Sequence, residues 1–308
     1  MKGRDNMINR TKMFCGGDNF LLKKEDTYYI YCTTENSLPA FTEEYPFFET
    51  YNEDGSDGIM VHTTKDLVHW EKPILCLDRD RVLGSHGFWA PEVSYYKGKY
   101  YMVYAADEKL AIAVADEPTG PFLPHTDSYL LDFPTIDGHL LFDTDGRIYL
   151  YYAAITGGNT IRVAEMEPDL KRIRKNYSHI LIAAEEPWET VDCTVAEGPF
   201  VIKHKGLYYL SYSANHTRSP EYAVGYAVSD CPTGPFRKYA GNPILHRPNG
   251  VFGTGHHSFA PTEDENRFLM VYHCHPGTGY FKPRMACITE AAFVEEPDGF
   301  DILTVLGK

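Results

Sequence analysis

Five times along this chain of 308 residues an apolar run, a short polar turn and an aromatic-rich run follow one another. The second runs span 27–32, 99–104, 147–152, 207–212 and 267–272. The turns before them are Lys24-Glu25-Asp26, Lys97-Gly98, Asp143-Thr144-Asp145-Gly146, Lys205-Gly206 and Glu263-Asp264-Glu265-Asn266. Strand, tight polar turn and strand, enriched in β-branched and aromatic residues, read as a hairpin. A third strand-like run follows each hairpin, at 59–62, 110–114, 160–164, 222–227 and 284–288. Most of these have a recognisable exit, such as Glu117-Pro118-Thr119-Gly120-Pro121-Phe122 and Cys231-Pro232-Thr233-Gly234-Pro235-Phe236. A unit of about four short strands, repeated, predicts an all-β fold: a five-bladed β-propeller of four-stranded antiparallel blades around a central axis. A two-sheet sandwich also uses many short strands, but it does not require one hairpin grammar to recur through the whole chain.

No composition shift or Pro/Gly/Ser-rich linker divides the chain, so the expectation is a single catalytic propeller over 1–308, with 1–15 as a lead-in. The stretch 34–57, rich in Glu, reads as a surface insertion of the first blade, and the last blade is expected to end in a strand running from Arg284 toward Phe300. The formal net charge is −14 and no basic cluster offsets it, which argues against nucleic acid and anionic membranes as partners. A neutral sugar fits better. The seven cysteines are scattered, with no CxxC pair, so buried thiols are expected rather than a disulfide framework or a zinc site. The polar first thirteen residues lack an apolar leader core, and no apolar run reaches membrane-spanning length. The expectation is a cytoplasmic protein, or a secreted one if a leader has been trimmed.

The residues that head the first runs are Asp18, Glu92, Asp137, Glu197 and His256, and of these Asp18, Asp137 and Glu197, with His256, carry the chemistry. Inner strands of a propeller run the same way along the axis, so their first residues gather in a ring at one end. Crowded carboxylates split their pKa values, leaving one protonated near neutral pH and another ionised. Cleavage of a glycosidic bond needs that division, an acid for the leaving oxygen and a base for water. Strand-start caps and a Ca²⁺ site are the alternatives, although one carboxylate per strand makes a loose cage for Ca²⁺. Glu92 lies further along its strand and reads equally as a structural partner. Trp89, just before an inner strand, reads as a stacking platform for a sugar ring or as a wedge between blades. Gly16-Gly17 before Asp18 reads as a place of close backbone approach.

At these residues the sequence resembles glycoside hydrolase family 43, the inverting five-bladed propeller enzymes acting on arabinose- and xylose-containing polysaccharides. The resemblance runs from about residue 16 to 300. Gly17-Asp18-Asn19-Phe20 resembles the segment carrying the general base, Ile136-Asp137-Gly138 the one whose Asp tunes and orients the acid, and Ala196-Glu197-Gly198-Pro199 the one carrying the general acid. Asn19 and Gly138 stand where Pro is commoner. Trp89-Ala90-Pro91-Glu92-Val93, Gly255-His256-His257-Ser258 and Arg284 match further segments. The resemblance implies Asp18 as base, Asp137 as modulator and Glu197 as acid, with Trp89, His256, Arg284 and Phe20 at the sugar. It implies no required cofactor. An axial Ca²⁺ touching His256 is one reading of that histidine, and a hydrogen-bonded axial histidine is the other. The implied substrate is an oligosaccharide bearing terminal α-L-arabinofuranosyl or β-D-xylosyl residues. The other readings are an endo-arabinanase or galactan-active hydrolase, a catalytically silent sugar-binding propeller, and a protein-interaction propeller.

Overall fold

In the computed structural model, residues 8–33, 58–277, 279, 281–297 and 299–307 are described. The acidic stretch 34–57 expected as an insertion lies outside them. Blade one is β1 (Gly17–Lys24), β2 (Thr27–Thr33), β3 (Gly58–Thr64) and β4 (Ile74–Asp78). Blade two is β5 (Trp89–Tyr96), β6 (Lys99–Ala106), β7 (Lys109–Ala115) and β8 (Leu123–Pro124). Blade three is β9 (Thr135–Phe142), β10 (Ile148–Ile155), β11 (Asn159–Met166) and β12 (Ile173–Asn176). Blade four is β13 (Ala196–His204), β14 (Leu207–Ala214), β15 (Ala223–Ser229) and β16 (Arg237–Lys238). Blade five is β17 (Gly255–Pro261), β18 (Arg267–Cys274), β19 (Met285–Val294) and β20 (Ile302–Val305).

Each blade is one antiparallel sheet in sequence order. The inner strands β1, β5, β9, β13 and β17 touch in that order and β17 returns to β1, which closes a five-bladed propeller. The outer strand of blade five lies at Ile302–Val305, beyond Phe300, not between Arg284 and Phe300 as expected. β19 ends at Val294, and β20 starts at Ile302 and pairs antiparallel with it. The expected lead-in also takes part in the sheet. Arg10 exchanges backbone hydrogen bonds with Ile288, and the Met13 and Gly16 N–H groups donate to the Ala286 and Arg284 carbonyls. Residues 10–16 therefore cover the first half of β19, and β20 covers the second half.

The turns follow from residue type. Lys97-Gly98 and Lys205-Gly206 are two-residue turns with positive φ at both positions (48° and 84°; 47° and 84°), the twist that matches right-handed strands. The tyrosines serve as ties between blades. The Tyr31 hydroxyl donates to the Pro118 carbonyl in the exit of blade two, and Tyr151 donates likewise to Pro232 in the exit of blade four, each at 2.6 Å. A buried ring supplies area, and its hydroxyl must find a partner. The repeated exits provide that partner.

Candidate active site

Every inner strand carries the same defect near its start. Gly17 pairs with Thr33 and Phe20 with Tyr31, so Asp18 and Asn19 together face one residue, Cys32. The same two-against-one register puts Ala90-Pro91 against Tyr104, Asp137-Gly138 against Tyr152, Gly198-Pro199 against Tyr212 and His256-His257 against Tyr272. These are β-bulges. Their first residues are all left-handed: φ is 50° at Asp18, 46° at Ala90, 57° at Asp137, 57° at Gly198 and 44° at His256. The bulge turns an N–H out of the ladder, and the preceding blade receives it. Ala90 donates to Thr33 Oγ1 (2.9 Å), Gly198 to Asp137 Oδ2 (2.9 Å), His256 to Ser213 Oγ (2.8 Å) and Asp18 to His273 Nδ1 (3.1 Å). Conformations that cost a non-glycine residue about 1–2 kcal/mol are thus held by hydrogen bonds between blades.

This register corrects the equivalence drawn from spacing. Asp18, Asp137 and His256 do share one position, the first residue of the bulge. Glu197 stands one residue earlier, level with Trp89, and Glu92 two residues later than Ala90. Glu92 is accordingly remote from the other acids' chemistry. It accepts from His139 Nδ1 (2.8 Å) and the Leu140 N–H (3.0 Å), and His139 Nε2 accepts from the Val201 N–H (3.1 Å). It pins blades two, three and four together as the structural partner.

Asp18 is an ionised carboxylate. Burial alone would raise its pKa, but the Arg284 guanidinium, with His256 and His273 beside it and the Thr33 hydroxyl, holds it far below the usual carboxylate range. Arg284 Nη1 lies 2.6 Å from Oδ1, Thr33 donates to Oδ2 at 2.7 Å, and His256 Nδ1 is 3.2 Å from Oδ1. Burial pushes the pKa of both histidines down.

Glu197 goes the other way. Burial, helped by the Asp18 charge, raises its pKa to about 7 against the pull of hydrogen bonds from Tyr222 and Asn159 and of the Arg284 charge. Tyr222 donates to Oε1 at 3.0 Å and Asn159 Nδ2 to Oε2 at 2.8 Å. Asp137 is also pushed well up, by burial and then by the charges of Glu197 and Asp18. The N–H of Gly198, the residue directly after Glu197, donates to Asp137 Oδ2, so the two acids are fixed relative to each other.

The three acids open into a cavity of about 360 Å³. Trp89, Ile136 and Glu197, all one residue ahead of their bulges, line it together with Asn159, His216 and Arg284. Trp89 is a wedge, half-buried against the core between blades two and three, with its remaining surface on the cavity. Arg218 caps the rim, its guanidinium 5.5 Å from the centre of the Phe281 ring. Phe20, expected at the sugar, lies past the bulge on the axis below, where it packs toward Tyr31. It lines an adjoining axial void of about 20 Å³ with Asn19, Glu92 and His257, beneath Asp18, Asp137 and His256, which border both spaces. That void has room for about one water-sized species. Ca²⁺ requires six to eight oxygen ligands. Here His256 turns Nδ1 to Asp18, Asp18 is engaged by Arg284 and Thr33, and no group of three His, Cys, Asp or Glu among the described residues is placed to hold a metal. This donor set does not fit Ca²⁺.

Spacing did not single out Tyr222, Asn159, His273 or Thr33. Tyr222 stood in a predicted strand as one of 23 tyrosines. The available signal was glycine. A Cβ on Gly17 would lie 2.2 Å from the Arg284 guanidinium carbon, and one on Gly255 would lie 2.2 Å from the Tyr222 ring. The close approach expected at Gly16-Gly17 is therefore that of Arg284.

The description Glycosyl hydrolases family 43 matches residues 14–299. A beta-xylosidase of Xylanibacter ruminicola is 31% identical over 60% of this chain and 64% of its own length. Xylosidase/arabinosidase 43A of Humicola insolens is 30% identical over 61% of this chain and 66% of its own. The chain thus spans about two thirds of each of these relatives. Among solved structures, an endo-1,4-beta-xylanase from Bacteroides thetaiotaomicron superposes with a TM-score of 0.83 at 32% identity, covering 98% of this chain and 97% of that one.

Proposed function

The chain belongs to glycosyl hydrolases family 43, and from that premise we propose that it is an inverting glycosidase that removes terminal α-L-arabinofuranosyl or β-D-xylosyl residues from oligosaccharides. The observation that carries this reading is the split of protonation states across one cavity: Asp18 ionised by Arg284, Glu197 raised to about 7. A sugar-binding site without chemistry has no use for a buried acid held near its midpoint at neutral pH. Relatives named for both xylosidase and arabinosidase activities support the two sugars, and a cavity of about 360 Å³ suits a chain end.

The reaction is a single displacement. Glu197 gives its proton to the glycosidic oxygen as the bond to the anomeric carbon breaks. A water attacks that carbon from the opposite face, and its proton passes to Asp18 as the new C–O bond forms. The products are the sugar with inverted anomeric configuration and the free alcohol of the leaving group. Asp18 ends protonated and Glu197 ionised, and solvent exchange restores both. Asp18 needs little basicity, because the water becomes acidic as it bonds to an electron-poor carbon. Arg284 keeps Asp18 ionised, and Asp137 fixes the backbone next to Glu197 and, when ionised, opposes loss of the Glu197 proton.

The test is release of p-nitrophenol from the α-L-arabinofuranoside and β-D-xyloside, with the first-formed anomer read by proton NMR. Turnover with inversion is expected, unchanged by chelator, and on a disaccharide, whose leaving alcohol needs the acid, Glu197→Gln should lose at least a hundredfold in kcat. Full activity in Glu197→Gln would reject the assignment of the acid.

A further inference from the structure

The five positions just ahead of the bulges are Gly17, Trp89, Ile136, Glu197 and Gly255. Three of them send a side chain into the cavity. At the two glycines the corresponding space is filled by a residue from elsewhere: Arg284 over Gly17 and Tyr222 over Gly255. The two guests divide the chemistry. Arg284 reaches the base, Asp18, and Tyr222 reaches the acid, Glu197. We infer that Tyr222, seated by Gly255, is a positioning residue for Glu197 and does for the acid what Arg284, seated by Gly17, does for the base. This rests on the assignment of Glu197 made above.

The seating is tight. Tyr222 is fully buried. Its ring stacks on His273 at 5.5 Å with the planes 16° apart. His273 Nδ1 accepts the Asp18 N–H, and Nε2 lies 3.2 Å from Thr217 Oγ1, which is also 3.3 Å from Arg284 Nη1. The supports of acid and base therefore meet in one stack. A phenol suits the task because its O–H donates to an ionised carboxylate and its lone pairs accept from a protonated one. It can hold Glu197 before and after proton transfer. Four further groups face Glu197: Asp18 from β1, Asp137 from β9, Cys193 from the segment before β13, and Arg284 from the segment before β19. All four remain when the hydroxyl alone is removed.

The experiment compares Tyr222→Phe, Gly255→Ala and the double variant. In Tyr222→Phe, kcat should fall about tenfold with KM within about twofold, since the acid is misaimed and not lost. The alkaline limb of kcat/KM should move up by about one pH unit, because a donor to the ionised carboxylate is gone. The loss should be greater for a disaccharide than for the p-nitrophenyl glycoside, whose leaving group needs less help from an acid. Gly255→Ala, which keeps the hydroxyl but displaces the ring, should shift the limb the same way, and the double variant should be no worse than the worse single one. A readout independent of turnover is the carbon-13 titration of the Glu197 carboxyl in the full chain, assigned by its disappearance in Glu197→Gln. Its midpoint must rise in Tyr222→Phe. An unmoved midpoint and limb in a folded Tyr222→Phe overturn the positioning role, as does additive behaviour of the two variants. Full activity in Glu197→Gln would instead reject the prior assignment, so the two failures are distinguishable.

Discussion

Blades two and four begin almost alike. Each inner strand has a glutamate near a bulge, and the two side chains are similarly shielded, Glu92 at 8% exposure and Glu197 at 7%. Their chemistry differs because of three residues of register. Glu92 stands past its bulge, inside the ring of strands, where a histidine N–H and a backbone N–H satisfy it. Glu197 stands ahead of its bulge, at the open end, where its donors are a phenol and an amide and its neighbours are two more acids. Equal burial makes one glutamate a rivet and the other an acid with a pKa raised to about 7. What surrounds the carboxyl decides, and the bulge chooses the surroundings.

The sharpest way to break this comparison is to neutralise each glutamate in turn. Glu197→Gln should lose at least a hundredfold in kcat, whereas Glu92→Gln should stay within about threefold. Initial rates on one disaccharide measure both. Comparable losses in the two variants would mean that position relative to the bulge does not separate the roles.

Stability should respond in the opposite sense. A carboxyl whose folded pKa is raised contributes stability that is complete below its unfolded value and lost as pH rises through the folded value. For Glu197 the window runs from the ordinary 4.5 to about 7. At pH 8 Glu197→Gln should therefore be more stable than the parent, by about 2–3 kcal/mol, and the gain should vanish near pH 4. Glu92→Gln should be less stable at either pH by about 2 kcal/mol, because the new amide N–H₂ meets groups that are already donors. Urea denaturation at the two pH values checks both signs. No stability gain for Glu197→Gln at pH 8 would show that the buried acid is not under strain.

The same shift sets the pH profile of the parent enzyme. kcat/KM should fall above about pH 7 as Glu197 loses its proton. Asp18, held ionised by Arg284, should impose no acid limb between pH 5 and 7. A limb in that range would mean that Arg284 does not control the base.

The strands, the two-residue turns and the ring of acids were legible in the sequence because alternation, Lys-Gly pairs and repeated spacing are local signals. Asp18, Asp137 and Glu197 converge as expected, and Arg284, which the resemblance placed at the sugar, comes to Asp18 across 266 positions, a contact that no spacing could show. The bulges were not legible. Their left-handed residues are Asp, Ala, Asp, Gly and His, of which only Gly takes that conformation freely. One uncounted residue per strand was enough to set Glu197 level with Asp18, and Phe20, which the resemblance put at the sugar, lies on the axis beneath.

The smallest effects sharpen the comparison most, because they touch the bulges themselves. Ala90 and Gly198 hold the same place in blades two and four, with φ of 46° and 57°. Each donates its N–H to the blade before, Ala90 to Thr33 and Gly198 to Asp137. Ala90 bears a left-handed alanine's strain, so Ala90→Gly should leave activity unchanged and cost or gain no more than about 1 kcal/mol, strain relief offsetting unfolded-state entropy. Gly198→Ala adds that strain and sets a Cβ 3.3 Å from His256 Nδ1. It should cost about 1–2 kcal/mol. It should also lower kcat, because the displaced N–H is the one that ties Asp137 to the residue after Glu197. If the two exchanges changed kcat equally, the bulge of blade four would be only a fold element. If Gly198→Ala alone lowers kcat, that bulge is the part of the blade that aims the acid.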